Sequence, residues 1–335
     1  MATPGDPSML RIQPASPVTR GWIPGSLPLR FVIGGVCLYT KMLPSLVFNV
    51  HHTEQTASPE AISLPVEFFP RGTEVLVVES RAFGTELPRV SRYMNTIRYV
   101  PEIYLHHVVE IEGSYQEYVN RLSGKARHEL FRKVRKFSAF TGGNVGFREF
   151  RGPVEFEEFH PLALGISRKT YQDKMLNAGL PDTEEFRREV GRLAGDDMAR
   201  GYLLFHGERP IAYGFCTAQR DVLFYEHTGY DPEYREWSPG VVLLHKILGS
   251  LHSEKRFRVF DFGSGNAQWK EWYGTRHTRC AVLYYFPRNL RNSVLVKAHS
   301  RLSLLSESTG EMLGALGVKD RVKRFLRFRF AVRKP

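Results

Sequence analysis

Apolar positions in the first third of the chain fall in short runs typical of strands. Between residues 29 and 112 these runs are rich in β-branched and aromatic side chains, and they read LRFVIGG, CLYTKML, SLVFNV, EVLVVES and LHHVVEIE. Such runs predict β-strands. The preceding residues, 1–28, hold many Pro, Ser and Gly and are predicted to be loose. We therefore expect a β-rich N-terminal half over 29–112.

The spacing of apolar residues becomes helical from Ser114 onward. Ser114 with Glu117 three residues later predicts a capping box at a helix start. A second, basic helix is expected after Gly124, and its apolar face comprises Ala126, Leu130, Phe131, Val134 and Phe137. Pro153 opens a further helical stretch, and Asp182 is expected to cap the helix after it.

The clearest secondary-structure pattern in the sequence lies between residues 201 and 286. The runs GYLLFH, IAYGFCTAQ and VLFYEHTGY are separated by short turns and predict an antiparallel meander. A helix opened by Ser238 leads to a short buried strand, FRVFDF at 257–262, and a helix over 268–273, a strand over 281–286 and a helix over 292–305 follow. Because a strand-helix-strand step usually returns parallel, we expect an α/β fold with a mixed sheet.

The charge balance is basic. The 47 Lys and Arg residues exceed the 35 Asp and Glu residues, which gives a net charge of +12. Two stretches concentrate this charge, RLSGKARHELFRKVRK at 121–136 and KDRVKRFLRFRFAVRK at 319–334. Each suits nucleic acid or an anionic membrane, and each also suits an ordinary solvated surface.

The spacing of the cysteines and the apolar stretches indicate the cellular compartment. The three cysteines form no CxxC pair, which argues against a disulfide framework and a zinc site. The first residues lack the apolar core of a signal peptide, and Gly34-Gly35, Lys41 and Pro44 interrupt the apolar stretch 31–50. We expect a cytoplasmic protein, and peripheral contact with the inner membrane face through the basic tail is an added hypothesis.

The helix start after the meander is a candidate anion site. Ser238 is a favoured N-cap residue, Pro239 suits the first helical position, and Gly240 leaves room for a ligand. The first N–H groups of a helix lack internal partners, so they can bind a phosphate. An ordinary capped helix start explains the same residues, and Arg235 just upstream favours the anion.

Three separated segments resemble one protein family. They are LSGKARHELFRKVRKF at 122–137, YDPEYREWSPGVVLLHKIL at 230–248 and FDFGSGNAQWKEWYG at 260–274. Their order and spacing resemble GNAT acyltransferases, in particular the CelD-like branch related to the FemAB transferases. The resemblance covers 114–290 and implies a GNAT-like mixed, largely antiparallel sheet flanked by helices.

The resemblance also suggests a division of the chain. The expected parts are a loose segment 1–28, a β-rich half 29–112, a GNAT acyltransferase domain 113–290, and a helix with a basic tail 291–335. The strands before 112 match no named motif. A degenerate second GNAT-like half at the N-terminus is therefore a hypothesis only.

What the resemblance implies is transfer of an acyl group to an amine. The donor would be acyl-CoA, acetyl-CoA above all, without a metal, and the acceptor an amino sugar, an amino acid or a related amine. Biosynthesis of cell-surface polysaccharide is one expected setting. The pantetheine arm of the donor would lie between the strand ending at Tyr230 and the strand beginning near Phe257. Donor-binding candidates are Arg235, Trp237, Ser238, Pro239, Gly240, Val241 and Lys270, although Trp237 and Pro239 depart from the usual glycine-rich loop.

The reaction needs a proton acceptor for the amine and donors for the developing oxyanion. Candidate catalytic residues are Glu226, His227, Asp261 and Tyr273. Alternation along a strand would place Glu226 and His227 on opposite faces, and Glu226 would point outward if His227 shares the core face with Tyr225. Asp261 lies in an apolar strand, where a carboxylate needs a partner or a use. Accepting an N–H from the Gly263–Gly265 turn is its structural alternative.

Two other functions remain open from the sequence. FemAB relatives take aminoacyl-tRNA as donor, and the basic surface would suit its phosphates. A non-catalytic GNAT-like scaffold could instead dock on a membrane or a synthesis complex through 121–136 and the tail. Cys216 has no identifiable base, and the pairs His51-His52 and His106-His107 point apart on strands, so we expect neither a cysteine nucleophile nor a metal site.

Overall fold

The computed structural model describes residues 22–33, 36–49, 69–83, 86–170, 179–265 and 267–315 of the 335. The chain divides into two compact units. One comprises the residues up to Ile103 together with those from Arg279 onward, and the other spans Tyr104–Thr278. The basic tail 319–334 and the pair His51-His52 lie outside the described residues.

The elements follow one another in this order. The strands are β1 (Ile23–Ile33), β2 (Val36–Asn49), β3 (Val75–Ala82), β4 (Val90–Tyr93), β5 (Thr96–Glu110), β6 (Gly146–Phe150), β7 (Ala199–His206), β8 (Arg209–Gln219), β9 (Val222–Tyr230), β10 (Val259–Asp261) and β11 (Arg276–Pro287). The helices are α1 (Tyr115–Arg121), α2 (Gly124–Phe140), α3 (Pro153–Ser167), α4 (Glu184–Gly195), α5 (Pro239–Glu254), α6 (Gln268–Tyr273) and α7 (Leu290–Ala315), with a 3₁₀ helix at Pro232–Trp237 before α5. Among the described helices, none combines the length and apolar character that a bilayer crossing requires.

The first unit is built on a sheet that begins with a long hairpin. Strands β1 and β2 pair antiparallel, β2 pairs parallel with β3, and β3 pairs antiparallel with β11. β1 starts at Ile23, so the prediction that residues up to 28 are loose is wrong for the last of them. Pro24 and Pro28 argue against a strand in the sequence, because proline cannot donate a backbone hydrogen bond. They are tolerated here because β1 is an edge strand of the described sheet, with one side unpaired.

The second unit contains the predicted meander and crossover. Strand β8 pairs antiparallel with both of its neighbours in the sequence, β7 and β9. Helix α5 then connects β9 to β10, which pairs parallel with β9. Helices α1, α2 and α5 contribute to the core on one face of this sheet, and α3 and α4 to the core on the other. The predicted α/β class with a mixed, largely antiparallel sheet is confirmed.

Two predicted helix caps have different outcomes. The capping box of α1 is confirmed, with Ser114 Oγ accepting the Glu117 N–H at 3.2 Å and Glu117 Oε2 accepting the Ser114 N–H at 2.6 Å. Asp182 does not cap α4. Thr183 does so by accepting the Phe186 N–H, because the Asp182 carboxylate is drawn into ion pairs with two arginines, Arg168 and Arg187.

Replacing Ser114 by Ala should lower the free energy of unfolding by about 1 kcal/mol. The substitution removes the acceptor for the Glu117 N–H at the start of α1. Urea unfolding measures the change. Ser250→Ala, inside α5, is the control and should be neutral or slightly stabilising because Ala favours helix interiors. An unchanged urea midpoint for Ser114→Ala would contradict this account of the cap.

Candidate active site

Strands β9 and β10 separate soon after they pair. Val259, Phe260 and Asp261 of β10 pair with Val222, Leu223 and Phe224 of β9. β9 continues to Tyr230, but within the described residues no strand pairs with it on the β10 side beyond Phe224. The free edge of β9 therefore offers backbone N–H and C=O groups to an opening beside the end of β10. This opening coincides with the place expected for the donor's arm.

A β-bulge lies at the start of this open edge. Tyr225 pairs with Cys216 and His227 pairs with Phe215, so Glu226 is an extra residue without a partner across the ladder. The bulge breaks the alternation of side chains. Tyr225 packs in the core beneath α5, whereas the His227 ring contacts Phe215 on the opposite face, with ring centroids 6.2 Å apart.

The predicted orientation of Glu226 and His227 is therefore wrong. The Thr217 hydroxyl donates a hydrogen bond to Glu226 Oε1. Thr217 follows Phe215 by two residues on β8 and so shares its face. Glu226 and His227 consequently lie on one face of the sheet, although neighbours on a regular strand would point apart. The bulge is the physical cause.

The protein environment shifts the pKa values of the two side chains in opposite directions. Glu226 reaches solvent, but the protein surrounding it partly desolvates the carboxylate and raises its pKa, an effect that the Thr217 hydrogen bond partly offsets. Burial lowers the pKa of His227, so its imidazole is neutral at pH 7. A carboxylate with raised proton affinity at an open strand edge is suited to take a proton from an amine.

Asp261 is held by two partners. It is 1 % exposed, its Oδ1 accepts the Gly263 N–H at 2.7 Å, and its carboxylate lies 2.8 Å from His106 Nε2. The turn contact is the structural alternative expected from the sequence. The His106 partner could not be foreseen, since it depends on the register that places Val108 opposite Asp261, with His106 diagonal to it on one face. The pair fixes the end of β10 at the opening.

Lys270 and Tyr273 do not take their expected positions. Lys270 is buried, and its ammonium group donates to the carbonyl oxygens of Gly263 at 3.1 Å and Ser264 at 2.6 Å. It therefore holds the turn after β10 rather than an exposed phosphate. Tyr273 is packed in the core of α1, α2 and α5, on the face opposite Asp261, where burial raises its pKa to about 12. The structure does not bring Tyr273 together with Glu226, His227 or Asp261.

The start of α5 differs from the expected cap. Pro239 is the first helical residue as predicted, but Ser238 has a left-handed backbone, with φ 54° and ψ 48°, and its side chain makes no capping hydrogen bond. Its carbonyl oxygen instead accepts the N–H groups of Val241 at 3.0 Å and Val242 at 3.3 Å. Among the expected donor-binding amides, only the Gly240 N–H has neither a backbone acceptor in the described residues nor a proline ring. The predicted phosphate cradle is thus reduced to a single donor.

The residues just before α5 are held by other parts of the same unit. The Ser238 N–H donates to the Arg235 carbonyl oxygen at 3.2 Å, and the Arg235 side chain is exposed. Trp237 stacks on Phe140 at the end of α2, with ring centroids 4.1 Å apart. Trp237 therefore has a packing role in fixing the helix start, and Arg235 remains a candidate ligand for an anion.

A charged cluster fixes the turn between β9 and the 3₁₀ helix. Asp231 is buried, and its carboxylate accepts hydrogen bonds from Lys169 and Arg209, each at 2.7 Å. Burial by itself would raise the pKa of Asp231, but hydrogen bonds from Lys169, the Glu233 N–H and Arg209 lower it below its ordinary value. The three side chains come from distant stretches of sequence, so sequence reasoning missed this cluster.

Two further observations concern possible ligand sites. A hollow of about 680 Å³ between α3 and α4 is lined by apolar side chains such as Phe156 and Leu164 and by charged ones such as Arg168 and Arg187. None of the predicted site residues lines it. Over the described ranges, no group of three or more His, Cys, Asp or Glu residues is arranged to hold a metal ion.

The comparisons with known proteins agree with the fold. Residues 124–271 match the family model described as an acetyltransferase (GNAT) domain. This segment contains the meander, the return to β10 and the opening beside Asp261, and it leaves out His106 and Tyr273. The match is therefore to a domain of the acyltransferase type, and it falls within the segment 114–290 that resembles GNAT acyltransferases in sequence. A search of curated protein sequences gave no match.

Several solved structures have a similar arrangement. L-PGS from Bacillus licheniformis is 14 % identical, with a TM-score of 0.46 over 78 % of this chain and 85 % of that chain. FemX is 11 % identical, with a TM-score of 0.43 over 83 % and 92 %. The ribosomal-protein-S18-alanine N-acetyltransferase from Escherichia coli is 15 % identical, with a TM-score of 0.29 over 43 % and 94 %. Likeness at this level carries no information on substrate.

Proposed function

We propose that the protein transfers an acyl group from a thioester, in first place a CoA thioester such as acetyl-CoA, to the amino group of a small acceptor in the cytoplasm. The observation that carries this proposal is the opening beside β10, inside the segment that matches the GNAT family. The free edge of β9 can bind an extended donor arm through backbone hydrogen bonds, as an added strand would.

The side chains at the opening suit this reaction. Glu226 takes the proton from the acceptor's ammonium group, and Thr217 holds the carboxylate in place. The free amine then attacks the thioester carbonyl, so that a C–N bond forms and the C–S bond breaks. The proton lost by the nitrogen in this step is available to the leaving thiolate. Asp261 and His106 serve by fixing the turn at the opening.

The fit to the donor's diphosphate is weaker than the fit to its arm. Near the start of α5 the Ser238 and Val241 N–H groups donate within the chain. Of the expected donor-binding groups described there, this leaves the Gly240 N–H, the Ser238 hydroxyl and the Arg235 side chain for a diphosphate. A substitution at Gly240 tests this placement. A Cβ there would lie 3.5 Å from Tyr230 Cδ1, an ordinary contact, so a side chain fits without strain.

Gly240→Asp should have opposite effects on stability and donor binding. A negative charge in the first helical turn favours the helix dipole, so the melting temperature should stay the same or rise. The same charge should repel a diphosphate and reduce the thermal stabilisation given by acyl-CoA. Thermal shift measurements with acyl-CoAs of increasing chain length test both effects.

Gly249→Asp carries the same charge on the same helix, in open space, and is the matched control. Unaltered stabilisation of Gly240→Asp by acyl-CoA would refute the diphosphate placement. If no acyl-CoA stabilised the wild type, and no thiol were released with a panel of amines, the CoA-dependent reaction would be excluded. The panel includes amino sugars, since cell-surface polysaccharide biosynthesis is one proposed setting.

A second candidate donor is an aminoacyl-tRNA. The feature that favours it is the basic face of α2, where Arg127 and Arg135 are exposed. Beside it, Lys125 and Lys133 lie 5.8 Å and 5.5 Å from the Trp272 ring centroid. Positive charge with a partly exposed aromatic ring suits nucleic acid.

Binding to tRNA should fall steeply with salt if this alternative holds, because each neutralised phosphate releases a counterion. Filter binding at low and moderate salt measures the slope, and Arg127→Gln with Arg135→Gln should reduce it. Salt-independent binding, or none, would leave the CoA reaction as the candidate. A protein that binds neither donor and shows no turnover would point to the scaffold hypothesis.

A further inference from the structure

The hairpin of the first unit carries apolar side chains toward its closed end. Ile33 of β1 pairs with Val36 at the start of β2, so this end lies between them. Four large apolar residues at or near this end have exposed fractions of 37 % to 61 %, namely Ile33, Leu38, Tyr39 and Met42. Isolated exposed apolar side chains are common, but a group on one hairpin indicates an interaction surface.

Helix α7 runs toward the same end of the hairpin. Near its start, Arg291 lies 3.9 Å from Glu74, whose N–H donates to the Pro44 carbonyl oxygen. Two turns later, His299 Nε2 lies 3.0 Å from the carbonyl oxygen of Arg30. Pro44 pairs with Ser26 and Arg30 pairs with Thr40, so the helix advances toward the closed end.

Two leucines of α7 continue this direction. Leu304 and Leu305 follow His299 by about 8 Å along the helix axis, at about 1.5 Å per residue. Their exposed fractions are 48 % and 59 %. The hairpin residues Ile33, Leu38, Tyr39 and Met42, together with Leu304 and Leu305, are here called the apolar end.

The hairpin carries charge of one sign. No Asp or Glu occurs in residues 22–49, although the protein has 35 of them in 335 residues. The hairpin carries Arg30 and Lys41, and helix α7 carries Arg291, Lys297 and Arg301 ahead of its first acidic residues, Glu307 and Glu311. The hairpin therefore combines exposed apolar side chains with positive charge alone.

We infer that the apolar end is a docking surface for an anionic lipid bilayer. Its leucines and isoleucine would enter the acyl boundary, Tyr39 suits the headgroup level, and Arg30 and Lys41 would attract anionic headgroups. A second copy of the chain fits less well, because joining two hairpin ends would bring Arg30 and Lys41 of both copies together. This surface is distinct from the basic tail.

Vesicle binding by the full chain tests the inference. Binding is expected to vesicles containing phosphatidylglycerol and not to vesicles of phosphatidylcholine alone. The double variant Leu38→Glu with Tyr39→Glu should partition at least about tenfold more weakly, because it replaces apolar contact by repulsion. The matched control is Val154→Glu, a similarly exposed apolar residue on α3 of the other unit, which should bind as the wild type does.

Further variants keep the test decisive. Should the double variant fail to fold, Arg30→Gln with Lys41→Gln removes the charge instead and should also weaken binding about tenfold. The inference is overturned if both double variants bind vesicles as the wild type does and binding is lost when Arg327 and Arg329 of the tail are replaced by Gln. That result would assign the membrane contact to the tail. The inference is also overturned if the wild type forms a dimer in solution and the double variant Leu38→Glu with Tyr39→Glu is a monomer.

Discussion

Asp261→Ala should destabilise the second unit by about 3–5 kcal/mol. The substitution removes both the partner of buried His106 and the acceptor of the Gly263 N–H. Each group would then be buried without its present partner, and the cost of an unmatched buried polar or charged group is much larger than the net value of the pair. Urea unfolding followed by tryptophan fluorescence reports on this unit through Trp269 and Trp272.

The conservative variant separates the two contacts. Asp261→Asn keeps an oxygen acceptor for the Gly263 N–H and should lose less stability than Asp261→Ala. A double-mutant cycle with His106→Gln measures the coupling between the two side chains. A coupling near zero would refute the contact between His106 and Asp261 as the element that fixes the end of β10. A loss of turnover larger than the loss of folded protein would assign Asp261 a part in the reaction as well.

The features predicted correctly from the sequence are those set by local pattern. The strands β7, β8 and β9 follow from apolar runs and short turns, and the parallel pairing of β10 follows from the handedness and length of the crossover. The capping box of α1 is likewise a local signal. None of these depends on knowing which residue of a neighbouring strand lies opposite.

The features that sequence reasoning missed depend on tertiary pairing. A bulge at Glu226 leaves no mark in the sequence, since it is defined by the partners of Tyr225 and His227 on β8. It places His227 on the face opposite Tyr225, where regular alternation would have put the two side chains on one face. The contact of His106 with Asp261 requires the register of two strands separated by 155 positions in the sequence.

The helix start was misread for a related reason. Ser238 is a favoured N-cap type, yet it adopts a left-handed backbone that costs a non-glycine residue about 1–2 kcal/mol. The carbonyl oxygen, which accepts two N–H groups, does the capping instead of the side chain. Strained backbone of this kind is often found beside functional sites, and here it lies between the open edge of β9 and Gly240.

Glu226→Gln should reduce turnover by about 10²–10⁴-fold if Glu226 accepts the amine's proton. An amide of the same shape cannot take the proton, whereas the fold should persist because Glu226 is exposed and the amide can still accept from Thr217. Circular dichroism and the melting temperature check the fold. A variant that folds and retains full turnover would exclude Glu226 as the proton acceptor.

The pH profile gives a second, independent signature of Glu226. Its pKa is raised above the ordinary 4.5 because the surrounding protein partly desolvates the carboxylate, and the Thr217 hydrogen bond partly offsets this rise. Because only the ionised carboxylate accepts a proton, kcat/KM should fall as pH drops through this raised pKa. Thr217→Val removes the hydrogen bond that lowers the pKa of Glu226, so the fall of kcat/KM on the acid side should move to higher pH. Glu226→Gln should abolish this fall. A fall that stays in place in Thr217→Val would mean that another group, such as His227, titrates there.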